Sequence, residues 1–472
     1  MSALSKLSLD PVRTPGIYHV DNLTEESAKM VTRILEGNRS NHIFTTSEKE
    51  MGASLHNHVV YHSLSLFALG ASPEVILSHC KRNFEYQLPP PKLVDEKPVA
   101  EMMSGPEGFA KYLGKEEHFL DFIDFFEKKI QQDGVEKVLQ DYLLGVSDVA
   151  ESMFPRLWHG YVHPIMHLGL GLEFKQLPIV AEGLAETAVH HDWWYTKYIE
   201  TTAAHAEKNG GIRQSIVDIF DECVKDPIIT NCVEWDYINQ YEAPSEAWPE
   251  GRWFVTREPY RDGVVGKALE PLARLASKFK VTAEDDLEKA TAEIINASIY
   301  IAAAAQKAPH EPRYEFFLIH GSNACLWHSV LLAEPSITRA QKARLIETTG
   351  RMLFFIWAGV GAPKPQLEHL MTGYKPKHID AGWEKVFEWS LRHEDDGHMI
   401  KLVRALAHGE KVCKPYDHLP EFRFKQHMFL HAANAAMDSG SDKPMSYVRH
   451  FDLLRLVGFD EAWENVPKIE VQ

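Results

Sequence analysis

The sequence predicts an all-α protein, a large multi-helix bundle closed around a buried, histidine-lined cavity. Three observations predict it. Helix-start signals recur ahead of apolar runs at helical spacing. Alternating strand patterns bounded by Asn-Gly or Asp-Gly turns are scarce, and several of the 25 histidines sit in stretches without a single charged residue. The 472 residues are read as one helical domain, 1–472, whose only natural division, into lobes 1–208 and 209–472, falls at Asn209-Gly210-Gly211. No period of roughly 20 to 50 residues repeats, which argues against a solenoid.

Taken in order, Asn22-Leu23-Thr24-Glu25 has capping-box spacing ahead of Ser27 to Leu35. Ser72-Pro73-Glu74 places a cap, a proline at the first helical position and an acid near the positive end of the helix. Thr282, Glu284, Asp285 and Asp286 repeat that logic before Leu287, Ala290, Ile294, Ala297 and Ile301. Proline, glycine and charge mark loops at Pro89 to Pro106, Asn209 to Gly211, Ala308 to Pro312, Gly361 to Lys377 and Ser439 to Pro444.

Fifty Lys and Arg against 67 Asp and Glu give a net charge of −17, a field that repels phosphate backbones and argues against nucleic acid as a partner. Five cysteines, odd in number and without a C-x-x-C, fit a reducing cytosol better than a disulfide framework or thiolate zinc site. The N-terminal stretch lacks a secretory signal, and no clean run of about 18 apolar residues appears, so no membrane is expected and the location read is cytoplasmic.

Histidine placement carries the functional reading, because imidazole is the side chain most readily used as acid, base or ligand near neutral pH. Residues 51–73 contain no Asp, Glu, Lys or Arg, so the helix there is buried nearly all round, with His58 one turn before His62. Residues 157–172 repeat the pattern with His159, His163 and His167, and Pro164 opens the helix so that His163 lies near its N-cap. A third run, Phe316 to Ala333, holds His320 and His328. His398 follows Asp395-Asp396-Gly397 and faces inward with Leu402 and Ala405, while Lys401 and Arg404 are read as the solvated face. For any one position the ordinary alternative is a core histidine bonded to a nearby carbonyl; four such segments together point to a shared site.

Metal chemistry has weak signals. His58/His62, His163/His167 and His427/His431 have i, i+4 spacing, but Glu-x-x-His and His-Glu-x-x-His are missing. His191-Asp192 is a dipeptide match to HD-type phosphohydrolases, and Gly169-Leu170-Gly171 and Gly359-Val360-Gly361 lack the rest of a dinucleotide cradle. No P-loop or nucleophile elbow is present.

The strings LHNHVVYHSLSLFALGASPEVI, GYVHPIMHLGLGLEF, IHGSNACLWH and DDGHMIKLVRAL resemble the questin oxidase-like family of fungal polyketide tailoring enzymes, over nearly the whole chain. The chain departs from the family pattern at Leu170, where an aromatic is frequent. The resemblance implies a Baeyer-Villiger type oxygenation of an anthraquinone or anthraquinol polyketide by O2, with no bound cofactor or metal; whether a separate NADPH-dependent reductase supplies the reduced substrate is left open. Within that reading His58 and His62 are base and proton relay, and His398 or His320 donates to the adduct. His163 and His167 hold substrate oxygens, and Tyr61, Tyr161, Trp194 and Trp327 offer faces for a flat ring system. A His-ligated non-haem iron oxygenase, an HD-type phosphohydrolase and a non-catalytic polyketide-binding protein stand as alternatives, and oligomeric state is left open.

Overall fold

A computed structural model of the chain describes residues 6–39, 56–85, 87–89, 93–237, 257–439 and 453–469, together with the backbone of two strands, Gln240–Glu242 and Arg252–Phe254. Those strands pair antiparallel as a small ribbon, and the rest of the regular structure is helical, as the sequence predicts.

Helix α1, Glu25–Asn38, begins where Thr24 accepts a hydrogen bond from the Ser27 backbone N–H. Helix α2, Val59–Ala68, is buried at every position, in keeping with its lack of charge. Helix α3, Pro73–Glu85, starts at the predicted proline. Helix α4 spans Phe119–Asp133, α5 His159–Glu173, α6 Leu177–Val189 and α7 Trp193–Lys208. Helix α8, Leu287–Ala304, is capped by Asp286, whereas Thr282 bonds to Asp285 one turn earlier. Helices α9 (Phe316–Ala333), α10 (Arg339–Gly359), α11 (His398–Cys413) and α12 (Gln426–Ser439) complete the set that matters here. Helix α5 packs between α6 and α9, and α2 and α11 lie against this layer. One apolar core runs without a break from Leu7 to Val466.

Several expectations are corrected. The segment read as a loop from Pro89 to Pro106 contains a helix, Glu96–Met103. The Asp95 side chain caps it, Pro98 is tolerated in its first turn, and Val99 and Met102 are buried beneath it. A π-helical turn, His369–Gly373, interrupts the segment 361–377. The Ser439 to Pro444 reading lies outside the described residues from 440 onward. Helix α9 has the length and hydropathy of a membrane span, yet 83% of that window is buried inside the fold, the environment of a core helix.

The largest correction concerns α11. Lys401 and Arg404 do not face solvent; they are 5% and 1% exposed. Arg404 pairs through its guanidinium with Glu173 at the end of α5 and donates to the Tyr18 carbonyl, so a second helix supplies the charge that makes burial tolerable. Lys401 lies 5.1 Å over the Tyr61 ring, and its Nζ has no hydrogen-bond partner among the described residues.

Helix α5 opens in an unusual way. Gly160, Tyr161 and Val162 all have left-handed backbone, with φ of 53, 55 and 63°, and the right-handed helix starts only at His163-Pro164. Tyr161 and Val162 carry side chains that disfavour this region, at about 1–3 kcal/mol each. The turn is held by Asp192, whose Oδ2 accepts from Gly160 N–H at 2.8 Å. The Gly160 carbonyl in turn accepts from His163 Nδ1 at 2.6 Å, and the Tyr61 hydroxyl donates to the His163 carbonyl at 2.9 Å.

Candidate active site

Four imidazoles from four segments meet inside this frame. His58, at the N-cap of α2, contacts His163 of α5 with ring centroids 5.4 Å apart and His398 of α11 at 4.6 Å. His320 of α9 completes the group, 4.9 Å from His163 and 5.0 Å from His398. All four are buried. Phe316, one turn before His320, packs on His320 and His398 and forms one wall.

Their hydrogen bonds assign the tautomers. Asp396 accepts from His58 Nδ1 at 3.1 Å through Oδ2 and from His398 Nδ1 through Oδ1. His163 Nδ1 faces the Gly160 carbonyl, and His320 Nδ1 faces the Phe316 carbonyl at 2.6 Å. Carbonyls and an ionised carboxylate only accept, so each ring carries its proton on Nδ1 and presents Nε2 as a lone pair. His58 Nε2 and His163 Nε2 then face each other at 3.2 Å, and His320 Nε2 has no partner among the described residues. Two lone pairs at that distance repel until a proton, a donor or a cation comes between them, so the pair is built to take one up.

Electrostatics keep the rings neutral. Burial, reinforced by the Lys401 ammonium, pushes His58 down to about 3, and burial with neighbouring imidazoles holds His163 and His320 well below the ordinary histidine value. Burial acts to raise Asp396, but His398 and His58 outweigh it and keep the carboxyl well below its usual range. Burial also pulls Lys401 down to about 8.

The other expected residues are placed differently. His62 points away from this group: its Nδ1 meets Asn83 Oδ1 at 2.9 Å and its ring packs edge-on against His79. His167 lies between two carboxylates, Nε2 to Glu182 at 3.2 Å and Nδ1 to Glu186 at 3.1 Å. Those bonds outweigh burial and raise it to about 9. Tyr61 is within the group, its ring edge-on to His58, His163 and His167. Tyr161 borders it by stacking on Phe317 at 4.3 Å. Trp327 packs on Gly169 and under Arg404 in the helix layer, and Trp194 sits on α7 beside Tyr195, both away from the imidazoles. His328 bonds to Thr349, the ordinary core role, while His427 is exposed and His431 bonds to the Leu370 carbonyl. Asp192 of the HD dipeptide serves the α5 turn.

Sequence reasoning missed Asp396 as the bridge, Lys401 as a buried cation, and His56, which stacks flat on His163 at 3.9 Å and 6°. The pair Glu182 and Glu186, one turn apart in the otherwise apolar helix α6, was a readable sign of a buried polar network. Two groups here have metal-ligand spacing around the imidazoles: His58, His163 and His320 offer ring nitrogens within 4.8 Å of one another, as do His58, Asp396 and His398 with the carboxylate included.

A cluster of neutral, Nδ1-anchored bases beside a partly buried carboxylate and an ammonium with no hydrogen-bond partner among the described residues has the composition of an acid–base centre. The family profile described as questin oxidase-like matches residues 55–406, and the chain belongs to that family of oxidoreductases. It is 32% identical to the protein named Oxidoreductase AflY of Aspergillus parasiticus, covering 92% of this chain and 83% of that protein. It is 30% identical to Baeyer-Villiger monooxygenase dmxR6 of Cryptosporiopsis sp. over 98% of each chain. With Questin oxidase of Aspergillus fumigatus it shares 29% identity, covering 99% and 100%.

Proposed function

We propose that this oxidoreductase carries out a Baeyer-Villiger type oxygenation of a reduced anthraquinone polyketide, with the substrate supplying the electrons. The observation that carries the reading is the His58–His163 pair, two buried bases aimed at one point 3.2 Å across. Support for the reaction class comes from the relatives named Baeyer-Villiger monooxygenase and questin oxidase.

The anthraquinol gives a phenolic proton to the pair, which becomes a hydrogen-bonded imidazolium–imidazole. The opposite carbon of the same ring, para to the phenolate and still bearing its hydroxyl, then adds O2, and the two quinol electrons reduce it to a peroxide. That carbon now holds both a hydroxyl and a peroxy group, the tetrahedral adduct a peroxide would form with the quinone carbonyl. A ring carbon migrates to the proximal oxygen as the O–O bond breaks, and the distal oxygen leaves as water, taking the proton returned by the pair and the proton of the adduct's hydroxyl, which becomes the lactone carbonyl. Anthraquinol plus O2 thus balances to lactone plus water. The Lys401 ammonium supplies positive charge where oxyanion develops, and His320 and His398 line the same space. A separate NADPH-dependent reductase delivers the quinol, and the cytosol is the compartment that provides it. Tyr61 and Phe316 are aromatic rings in contact with the imidazoles, and Tyr161 stacks on Phe317 beside them.

The test is oxygen uptake with an anthraquinol by metal-stripped protein. His58→Gln and His163→Gln should abolish it while leaving helical circular dichroism intact; retained uptake rejects the base pair, and binding without uptake makes the protein a carrier. A second reading rests on one observation, the convergence of His58, His163 and His320 with every Nδ1 tied to an acceptor, which is how metal-binding imidazoles are oriented. Loss of uptake on chelation, restored by Fe2+, would favour it.

A further inference from the structure

A second buried cluster lies behind the first, and the proposed oxygenation makes no use of it. His56 precedes α2, His190 follows the last residue of α6, and Glu186 sits one turn before the end of α6. All three are buried, at 7%, 4% and 2% exposure. His56 Nε2 is 3.1 Å from His190 Nε2, and Glu186 Oε1 lies 3.7 Å from the former and 3.9 Å from the latter. We propose that His56, His190 and Glu186 hold a first-row divalent cation, Zn2+ by ligand type, in a site separate from the imidazoles of the reaction.

The geometry carries this. The point equidistant from the three ligand atoms in their plane lies about 2.1 Å from each, and an ion raised off that plane toward a fourth ligand lies about 2.2 Å from each, within the range of zinc bonds to nitrogen and oxygen ligands. Three protein ligands leave a fourth tetrahedral position for water. The carboxylate is already oriented by an outer group, because Glu186 gives its other oxygen, Oε2, to His167 Nδ1. His167 bonds through both nitrogens to carboxylates, which only accept, so it is an imidazolium on geometry alone. Glu127 and Glu182 are met by Arg39.

Gly160 keeps the ligand face open. A Cβ there would lie 2.6 Å from His190 Nε2 and 2.8 Å from His56 Nε2, in the space between the ligand atoms. The cation would fasten the segment before α2 to the end of α6, and so press the His56 ring flat against His163. Its role is structural, positioning one member of the base pair.

The decisive experiment is anomalous diffraction at the zinc edge from crystals of the full chain equilibrated with Zn2+. A peak within about 2.3 Å of His56, His190 and Glu186 is expected. No peak there, or one only among His58, His163 and His320, overturns the proposal, since a shared proton would then account for the His56–His190 contact. In solution, chelator-stripped His320→Gln protein should take up one equivalent of Zn2+, and adding Glu186→Gln or His190→Gln should remove it. Equal uptake with and without those changes, or none in the parent, also overturns it. This outcome is independent of the oxygenase reading, which is judged by oxygen uptake.

Discussion

Asp396→Asn is the sharpest test of the site as described. The wild-type carboxylate accepts from His58 Nδ1 and His398 Nδ1 at once, so it fixes both Nε2 lone pairs. An amide keeps the shape but has one accepting and one donating end, so one of the two rings must lose its bond or turn over its tautomer. Each hydrogen bond to a charged group is worth about 1.5–3 kcal/mol, so the variant loses up to roughly that amount of stability per bond. The catalytic loss is larger, because a ring with its proton on Nε2 is no longer a base toward the substrate. General-base catalysis contributes about 10²–10⁴-fold, and kcat for oxygen uptake should fall by that factor with KM within about threefold. Stopped-flow oxygen consumption with an anthraquinol, alongside near-ultraviolet circular dichroism, reads both effects. A kcat within about threefold of wild type in folded protein would refute the argument that Asp396 sets the tautomers.

Lys401→Met should make the protein more stable and less active. Burial lowers the folded-state value to about 8 from the ordinary lysine value of 10.5, so below pH 8 the folded chain carries a disfavoured charge. Removing it should gain about 3 kcal/mol at pH 7, with the gain shrinking from pH 8 and gone near 10.5; urea unfolding at pH 7 and pH 10 reads the sign. Glu173→Gln strands the Arg404 guanidinium in the core and should cost about 3–5 kcal/mol, measured by denaturant titration. Gly397→Ala puts a methyl 2.8 Å from the His62 ring at a φ of +100°, so about 1–3 kcal/mol of strain falls on the loop that carries Asp396 and His398, and oxygen uptake should drop with it.

The sequence was readable where one element decides the outcome. The buried α2, the proline start of α5 and the inward face of α9 follow from charge-free runs and capping residues within a few positions of each other. It was unreadable where two distant elements decide. Lys401 and Arg404 look like a solvated face until Glu173 and Tyr61 are known to lie across from them. His58 is the N-cap of α2, with non-helical backbone, and meets Asp396, whereas His62 inside the helix meets Asn83. His167 looked like a hand for substrate and is instead held by two glutamates of α6.

The groups of the proposed centre are drawn from places as far apart as residues 58 and 396, with no contiguous piece of chain holding more than a fraction of them. Such a centre cannot be exchanged as a cassette or borrowed by a shorter gene product, because every fragment lacks a wall.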